Sequence, residues 1–189
     1  MNFLSAFRIF SAFAIIPALM FQMYWIGFIL YVLGAASDWF DGYLARKYNV
    51  CSKVGGVMDH IGDKLLVANT LILLAAMVPA WFIVVPVIIM IARELYISGL
   101  REFMGTQKME MPVPKARFSM GKIKTTLQMI SIGAFLLFFA IGSVTMSGRI
   151  AALAFIALPQ IAIWGLWLSL VASIWSAAQY TVTFSEKLK

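Results

Sequence analysis

The sequence predicts an all-α protein of the polytopic membrane class. Apolar residues make up 62% of its 189 positions and the mean hydropathy is +0.92. Charged residues make up only 12%, against about a quarter in soluble domains. The apolar residues also gather into runs as long as the roughly 17–25 residues that a helix needs to cross a bilayer.

Such windows fall at 4–22, 24–45, 56–78, 81–104, 118–142 and 160–181, which predicts six transmembrane helices. The first lacks a small-residue cleavage site and is followed at once by another apolar run, so it reads as a retained helix and not a secretory signal. The second ends in a cluster of polar residues after Ser37. The third opens on Asp59 and Asp63 and meets the fourth around Pro79. Between the fourth and fifth, Gly105 to Arg117 contains Pro112 and Pro114 and predicts a polar loop. The fifth opens on Lys122 and Lys124, and the sixth precedes the basic C-terminal residues. No repeat or long linker divides the chain, so 1–189 is expected to form a single membrane domain.

Orientation follows from the basic residues, because short cytoplasmic loops retain Lys and Arg. Arg8, then Arg46, Lys47 and Lys53, then Arg101, Lys108, Lys115, Arg117, Lys122 and Lys124, and finally Lys187 and Lys189 mark places that six crossings put on one side. The opposite ends carry only Arg149. Both the N and C termini are therefore expected in the cytoplasm. All eight acidic residues fall in the same cytoplasmic half. A single Cys51 excludes an intrachain disulfide. The net charge of +7 suits anionic headgroups or phosphorylated substrates, but is too dispersed for nucleic acid.

Half of the eight acidic residues, Asp38, Asp41, Asp59 and Asp63, fall in one short stretch. On helices, acids three and four apart project from one face. A reversal through Tyr48 to Lys53 would set the two pairs against each other. Like charges about 4 Å apart repel by about 4 kcal/mol at an effective dielectric of about 20, so the cluster needs neutralising. Two divalent cations would cancel four carboxylates, and an all-oxygen donor set selects Mg²⁺ or Mn²⁺. Lys47, Lys53 and Lys64 are expected at the aqueous edge. Gly42, Gly55, Gly56 and Gly62 leave the backbone beside the acids bare for a close ligand; for Gly34 and Gly56, helix packing is the competing reading. Arg46 could offer its guanidinium fork to a phosphate.

Asp38, Asp41-Gly42, Ala45-Arg46, Gly55, Asp59 and Asp63 keep the fixed spacing of the CDP-alcohol phosphotransferase motif, and the chain resembles that family on these residues. Asn2, Leu4, Ser5 and Arg8 resemble its N-terminal element. Ala92-Arg93-Glu94, Ser98-Gly99-Leu100-Arg101 and Gly121-Lys122-Ile123-Lys124-Thr125 with Gln128 resemble the bacterial branch whose acceptor is glycerol 3-phosphate. That branch usually reads Asp-Pro-x-Ala-Asp-Lys where this chain has Asp59-His60-Ile61-Gly62-Asp63-Lys64.

The resemblance implies transfer of a phosphatidyl group from CDP-diacylglycerol to sn-glycerol 3-phosphate at a two-metal site in a bacterial inner membrane, by a homodimer. It implies Asp38, Asp41 and Asp59 as metal ligands and Asp63 as general base and further ligand. Gly42, Ala45, Arg46 and Gly55 would line the CDP site. A phosphorylated acceptor needs cations apart from the metals. Arg93, Arg101, Lys115, Lys122 and Lys124 are the candidates, Arg93 and Arg101 being about 12 Å apart along a helix. For Arg93, an ion pair with Glu94 or an aspartate is the competing structural role; for Lys115, attraction to lipid headgroups is. Other acceptors, such as phosphatidylglycerol in cardiolipin formation or inositol phosphate, are alternatives within the enzyme class. A divalent-cation transporter is the alternative outside it, weakened by the lack of a matching acidic pair in the later spans, and a catalytically inactive membrane scaffold is a third reading.

Overall fold

The computed structural model describes residues 2–48, 53–106, 120–144 and 149–188; the side chains of 2–3, 38–48, 53–57, 59–60, 120–122, 149–151 and 186–188 lie outside the described residues. Among the described residues there are six helices and no strands: α1 (Asn2–Met20), α2 (Tyr24–Tyr48), α3 (Lys53–Met77), α4 (Trp81–Thr106), α5 (Met120–Gly142) and α6 (Arg149–Leu188). Three of these contain stretches long and apolar enough to cross a membrane, Trp81–Thr106, Ile123–Gly142 and Ala152–Ser185; the apolar parts of α1 and α2 are shorter, Leu4–Met20 and Tyr24–Ser37.

The expected breaks between the first four elements match the observed ones. α2 ends at Tyr48 and α3 begins at Lys53. The turn at Pro79 is closed by Val78 N donating to Leu74 O and Ala80 N donating to Val78 O, at 2.9 and 2.8 Å. The α1–α2 turn is a Schellman closure: Met23 N donates to Ala18 O and Gln22 N to Leu19 O, at 2.8 and 3.1 Å. Gln22 takes the left-handed position with φ of 60°, where such motifs usually carry glycine. The sixth element departs from expectation, because α6 starts at Arg149 and runs 40 residues. After Arg149 the chain is apolar from Ile150 to Leu158, and the helix continues through this run and Pro159 ahead of the expected window. Of the expected loop from Gly105 to Arg117, Gly105 and Thr106 belong to α4, and 107–117 lie outside the described residues.

The helices close a ring in space. α1 packs on α2 and α3, α3 on α4, α4 on α6, α6 on α5 and α5 on α2, while α3 also touches α2 and α5 across the interior. Ile15, Leu66, Leu71, Leu74, Met90, Ile132, Leu136 and Leu166 form the buried core. Many large apolar residues face outward instead, among them Phe10, Phe13, Ile88, Leu95, Trp164 and Val171, as in a domain solvated by hydrocarbon and not by water.

Small and hydroxylated residues let the backbones approach, as is common between apolar helices. Ser131 Oγ donates to Ala162 O at 2.5 Å, and a Cβ on Gly165 would lie 3.1 Å from Ser131 Cβ. Gly34 serves packing: a Cβ there would meet Leu66 Cδ2 at 2.8 Å. Gly62 corrects the expectation of a bare ligand surface. It faces α1, and a Cβ would lie 3.2 Å from Ile9 Cγ1 and 3.5 Å from Arg8 Cδ. The neighbouring helix takes the space that the missing side chain leaves.

Candidate active site

A cavity of about 420 Å³ opens among α3, α4, α5 and α6. Its polar lining comes from Asp63 and Lys64 on α3, Arg93, Glu94, Ser98 and Arg101 on α4, Lys124, Thr125 and Gln128 on α5, and Ser176 and Tyr180 on α6. Leu71, Met90 and Ile91 line its apolar part. The lining holds four cationic side chains, Lys64, Arg93, Arg101 and Lys124, against two carboxylates, Asp63 and Glu94. This surplus of positive charge within a low-dielectric wall is suited to an anion carrying more than one charge.

Each cation is positioned by contacts with the cavity wall. Arg93 Nε donates to Ser173 O on α6 at 3.0 Å, and its Nη1 donates to Glu94 Oε1 at 2.9 Å. The same Glu94 oxygen pairs with Lys124 Nζ across the cavity. Lys64 Nζ donates to Ser98 Oγ at 2.5 Å, and Ser98 Oγ donates to Glu94 O at 2.8 Å. Arg101 lies with its guanidinium carbon 5.6 Å from the centre of the Tyr180 ring, a cation–π arrangement. The α4–α6 wall that carries these groups is fastened by Trp167 Nε1 donating to Phe82 O at 3.0 Å and by a 3.2 Å hydrogen bond between Tyr96 and Thr181 hydroxyls.

The structure thus brings together Asp63, Arg93, Arg101 and Lys124 among the expected site residues. Asp38, Asp41, Gly42, Ala45, Arg46, Gly55 and Lys122 lie on helical backbone, but their side chains, with that of Asp59, are outside the described residues; Lys115 is outside them altogether. Lys64 corrects its assignment to the aqueous edge, since its chain turns inward to Ser98 and the cavity. A lysine next to an aspartate at a helix opening gives no sign of which way it points. Ser176 and Tyr180 escaped sequence reading, because α6 carries no polar motif at all.

Among the described residues no three His, Cys, Asp or Glu side chains converge on one point. The donor chemistry nevertheless suits divalent ions. Asp63 already presents a carboxylate to the cavity, and Asp59 precedes it by one helical turn on α3. Asp38 and Asp41 lie near the end of α2, which packs on α3. All four are hard oxygen donors of the kind that Mg²⁺ and Mn²⁺ take.

The N-terminal element meets the same region. Arg8 is completely buried, and its Nε donates to Ser37 Oγ at 3.3 Å, while Ser37 Oγ donates to Gly34 O at 2.7 Å. Its side chain therefore spans from the residue before Asp38 to the residue before Asp63.

Residues 1–175 match the family model described as CDP-alcohol phosphatidyltransferase. The chain is 43% identical over 104 residues to a protein of Yersinia enterocolitica and 41% identical over 104 residues to one of Sodalis glossinidius, both named CDP-diacylglycerol–glycerol-3-phosphate 3-phosphatidyltransferase. It is 38% identical over 104 residues to the Escherichia coli protein of the same name. In each case the match covers 55% of this chain and 56% of the relative, so the chain spans little more than half the length of the curated relatives it matches. No solved structure matches. With the family model covering nearly the whole sequence, the chain belongs to the CDP-alcohol phosphatidyltransferase family.

Proposed function

We propose that the protein transfers the phosphatidyl group of CDP-diacylglycerol to sn-glycerol 3-phosphate, giving phosphatidylglycerophosphate and CMP. The observation that carries this reading is the shared cavity of Asp63, Arg93, Arg101 and Lys124, a carboxylate beside a cationic pocket for a second phosphate. The names of the relatives support the same acceptor.

In this reading Asp63 takes the proton of the acceptor hydroxyl as its oxygen bonds to the phosphorus that carries diacylglycerol. The bond from that phosphorus to the CMP oxygen breaks, and CMP leaves with the electron pair. Arg93, Arg101 and Lys124, joined by Lys115 and Lys122, hold the acceptor's own phosphate through charge-assisted hydrogen bonds. Gly42, Ala45, Arg46 and Gly55 line the CDP end. Asp38, Asp41, Asp59 and Asp63 would hold two divalent cations, Mg²⁺ or Mn²⁺. Such ions, when bound, offset the charge on the departing nucleotide and polarise the phosphorus.

The same proposal takes residues 1–189 as one membrane domain crossing the bacterial inner membrane six times, with both termini and the cavity mouth on the cytoplasmic side. The basic residues at one set of helix ends and the outward apolar residues support it. A homodimer belongs to the reading through the family resemblance. Purified protein given CDP-diacylglycerol, Mn²⁺ and glycerol 3-phosphate should release CMP and stop on chelation. Release with an uncharged polyol but not with glycerol 3-phosphate would remove the acceptor assignment.

A further inference from the structure

Glu94 stands where a ligand's anion would be expected. One of its oxygens accepts from Arg93 Nη1 at 2.9 Å and also pairs with Lys124 Nζ. It thereby joins two of the cations assigned to the acceptor phosphate. The side chains of Arg93 and Lys124 are only 10% and 9% exposed, whereas that of Glu94 is 31% exposed. The carboxylate therefore lies on the open side of two buried cations.

The anchoring of the neighbours points the same way. Arg93 is held from behind by the Ser173 carbonyl, a contact independent of Glu94. The backbone of Glu94 is tied through Ser98 to Lys64. The carboxylate can leave by side-chain rotation alone, with both cations and the helix staying in place.

We infer that Glu94 is a displaceable internal counter-anion that reserves Arg93 and Lys124 for a phosphorylated acceptor. This deepens the proposed function and rests on it for the identity of the acceptor. A phosphate near the dianionic state outcompetes a single carboxylate for a guanidinium fork and an ammonium. An uncharged polyol has nothing to offer the two cations and leaves Glu94 where it is. Glu94 thus sets the charge that an incoming anion must bring before the two cations are released to it. Glu94 acts on the acceptor by competition for its two cations.

The test compares full-length wild type with Glu94→Gln in detergent, reading inorganic phosphate binding by calorimetry without CDP-diacylglycerol, and the KM for glycerol 3-phosphate by CMP release. The amide keeps the shape but yields the cations more readily, so phosphate should bind about tenfold tighter and KM should fall by a similar factor. A residue that merely braces Arg93 and Lys124 would give the opposite sign. Unchanged or weaker phosphate binding in Glu94→Gln overturns the inference.

Should that variant not fold, Glu94→Asp makes the same comparison, because a carboxylate one methylene shorter cannot hold both cations. Its phosphate affinity should rise by about threefold, and no rise overturns the inference. The two readings fail separately. A wild type that makes no CMP from glycerol 3-phosphate while Glu94→Gln binds phosphate more tightly loses the acceptor but keeps the counter-anion. Turnover of glycerol 3-phosphate without that tightening does the reverse.

Discussion

Arg8 Nε donates to Ser37 Oγ across 3.3 Å, joining α1 to α2 one residue before Asp38. A guanidinium with no exposure in so apolar a domain is costly to hold and costly to remove. Arg8→Met should lower the stability of the detergent-solubilised protein by about 1.5–3 kcal/mol, the range for a hydrogen bond from a charged group. Thermal unfolding measures this, and a shift no larger than that of an exposed Lys→Met control would show that the contact contributes little.

Asp63 and Asp38 should separate by phenotype. Asp63→Asn keeps an oxygen donor but cannot accept the hydroxyl proton, so CMP release should fall by about 10²–10⁴, the usual span for a general base, with Mn²⁺ binding largely retained. Asp38→Asn should weaken Mn²⁺ binding and turnover together. Manganese titration followed by paramagnetic resonance, alongside the CMP assay, distinguishes the two; equal behaviour of both variants would merge the roles.

Gly34 lies against Leu66, which is itself fully buried. A methyl group there meets Leu66 Cδ2 at 2.8 Å and Cδ1 at 3.5 Å, so the buried leucine must shift to admit it. Gly34→Ala should cost about 1–3 kcal/mol, as overpacked cores do. Paired with Leu66→Ala, which vacates the contact, the loss attributable to Gly34→Ala should shrink, and a double-mutant cycle reads that coupling.

Gln22 holds a left-handed backbone at the end of α1, a conformation that costs roughly 1–2 kcal/mol for a residue with a side chain. Its Schellman hydrogen bonds use backbone atoms only, so glycine keeps them. Gln22→Gly should raise the unfolding midpoint, with a gain of up to about 1 kcal/mol. A lower midpoint would mean that the exposed side chain matters to the turn.

Most of the secondary structure was legible because long apolar runs and their breaks at Gln22, Pro79 and Tyr48 to Lys53 dictate where helices stop. The cations of α4 and α5 were legible for a similar reason: charge is rare enough here that each basic residue needs an explanation. Direction was not legible. A helix surrounded by hydrocarbon is apolar on its outer face as well as its inner one, so no amphipathic pattern tells which way Lys64 or Gly62 points. Nor did anything reveal that Ser176 and Tyr180 close the cavity, since that depends on α6 lying against α4. The links between these helices are carried by backbone carbonyls and single hydroxyls, which leave no periodic trace.

The candidate membrane span in α6, Ala152–Ser185, is 34 residues long, about 51 Å of helix at roughly 1.5 Å per residue. A hydrocarbon layer is only about 30 Å thick. A helix of that length crossing such a layer leans steeply, bends near Pro159, or lifts one end into the headgroups. Because Ser176 and Tyr180 ride on it, a thicker or thinner bilayer alters the tilt of a cavity wall, and lipid composition gains a mechanical route to the reacting groups.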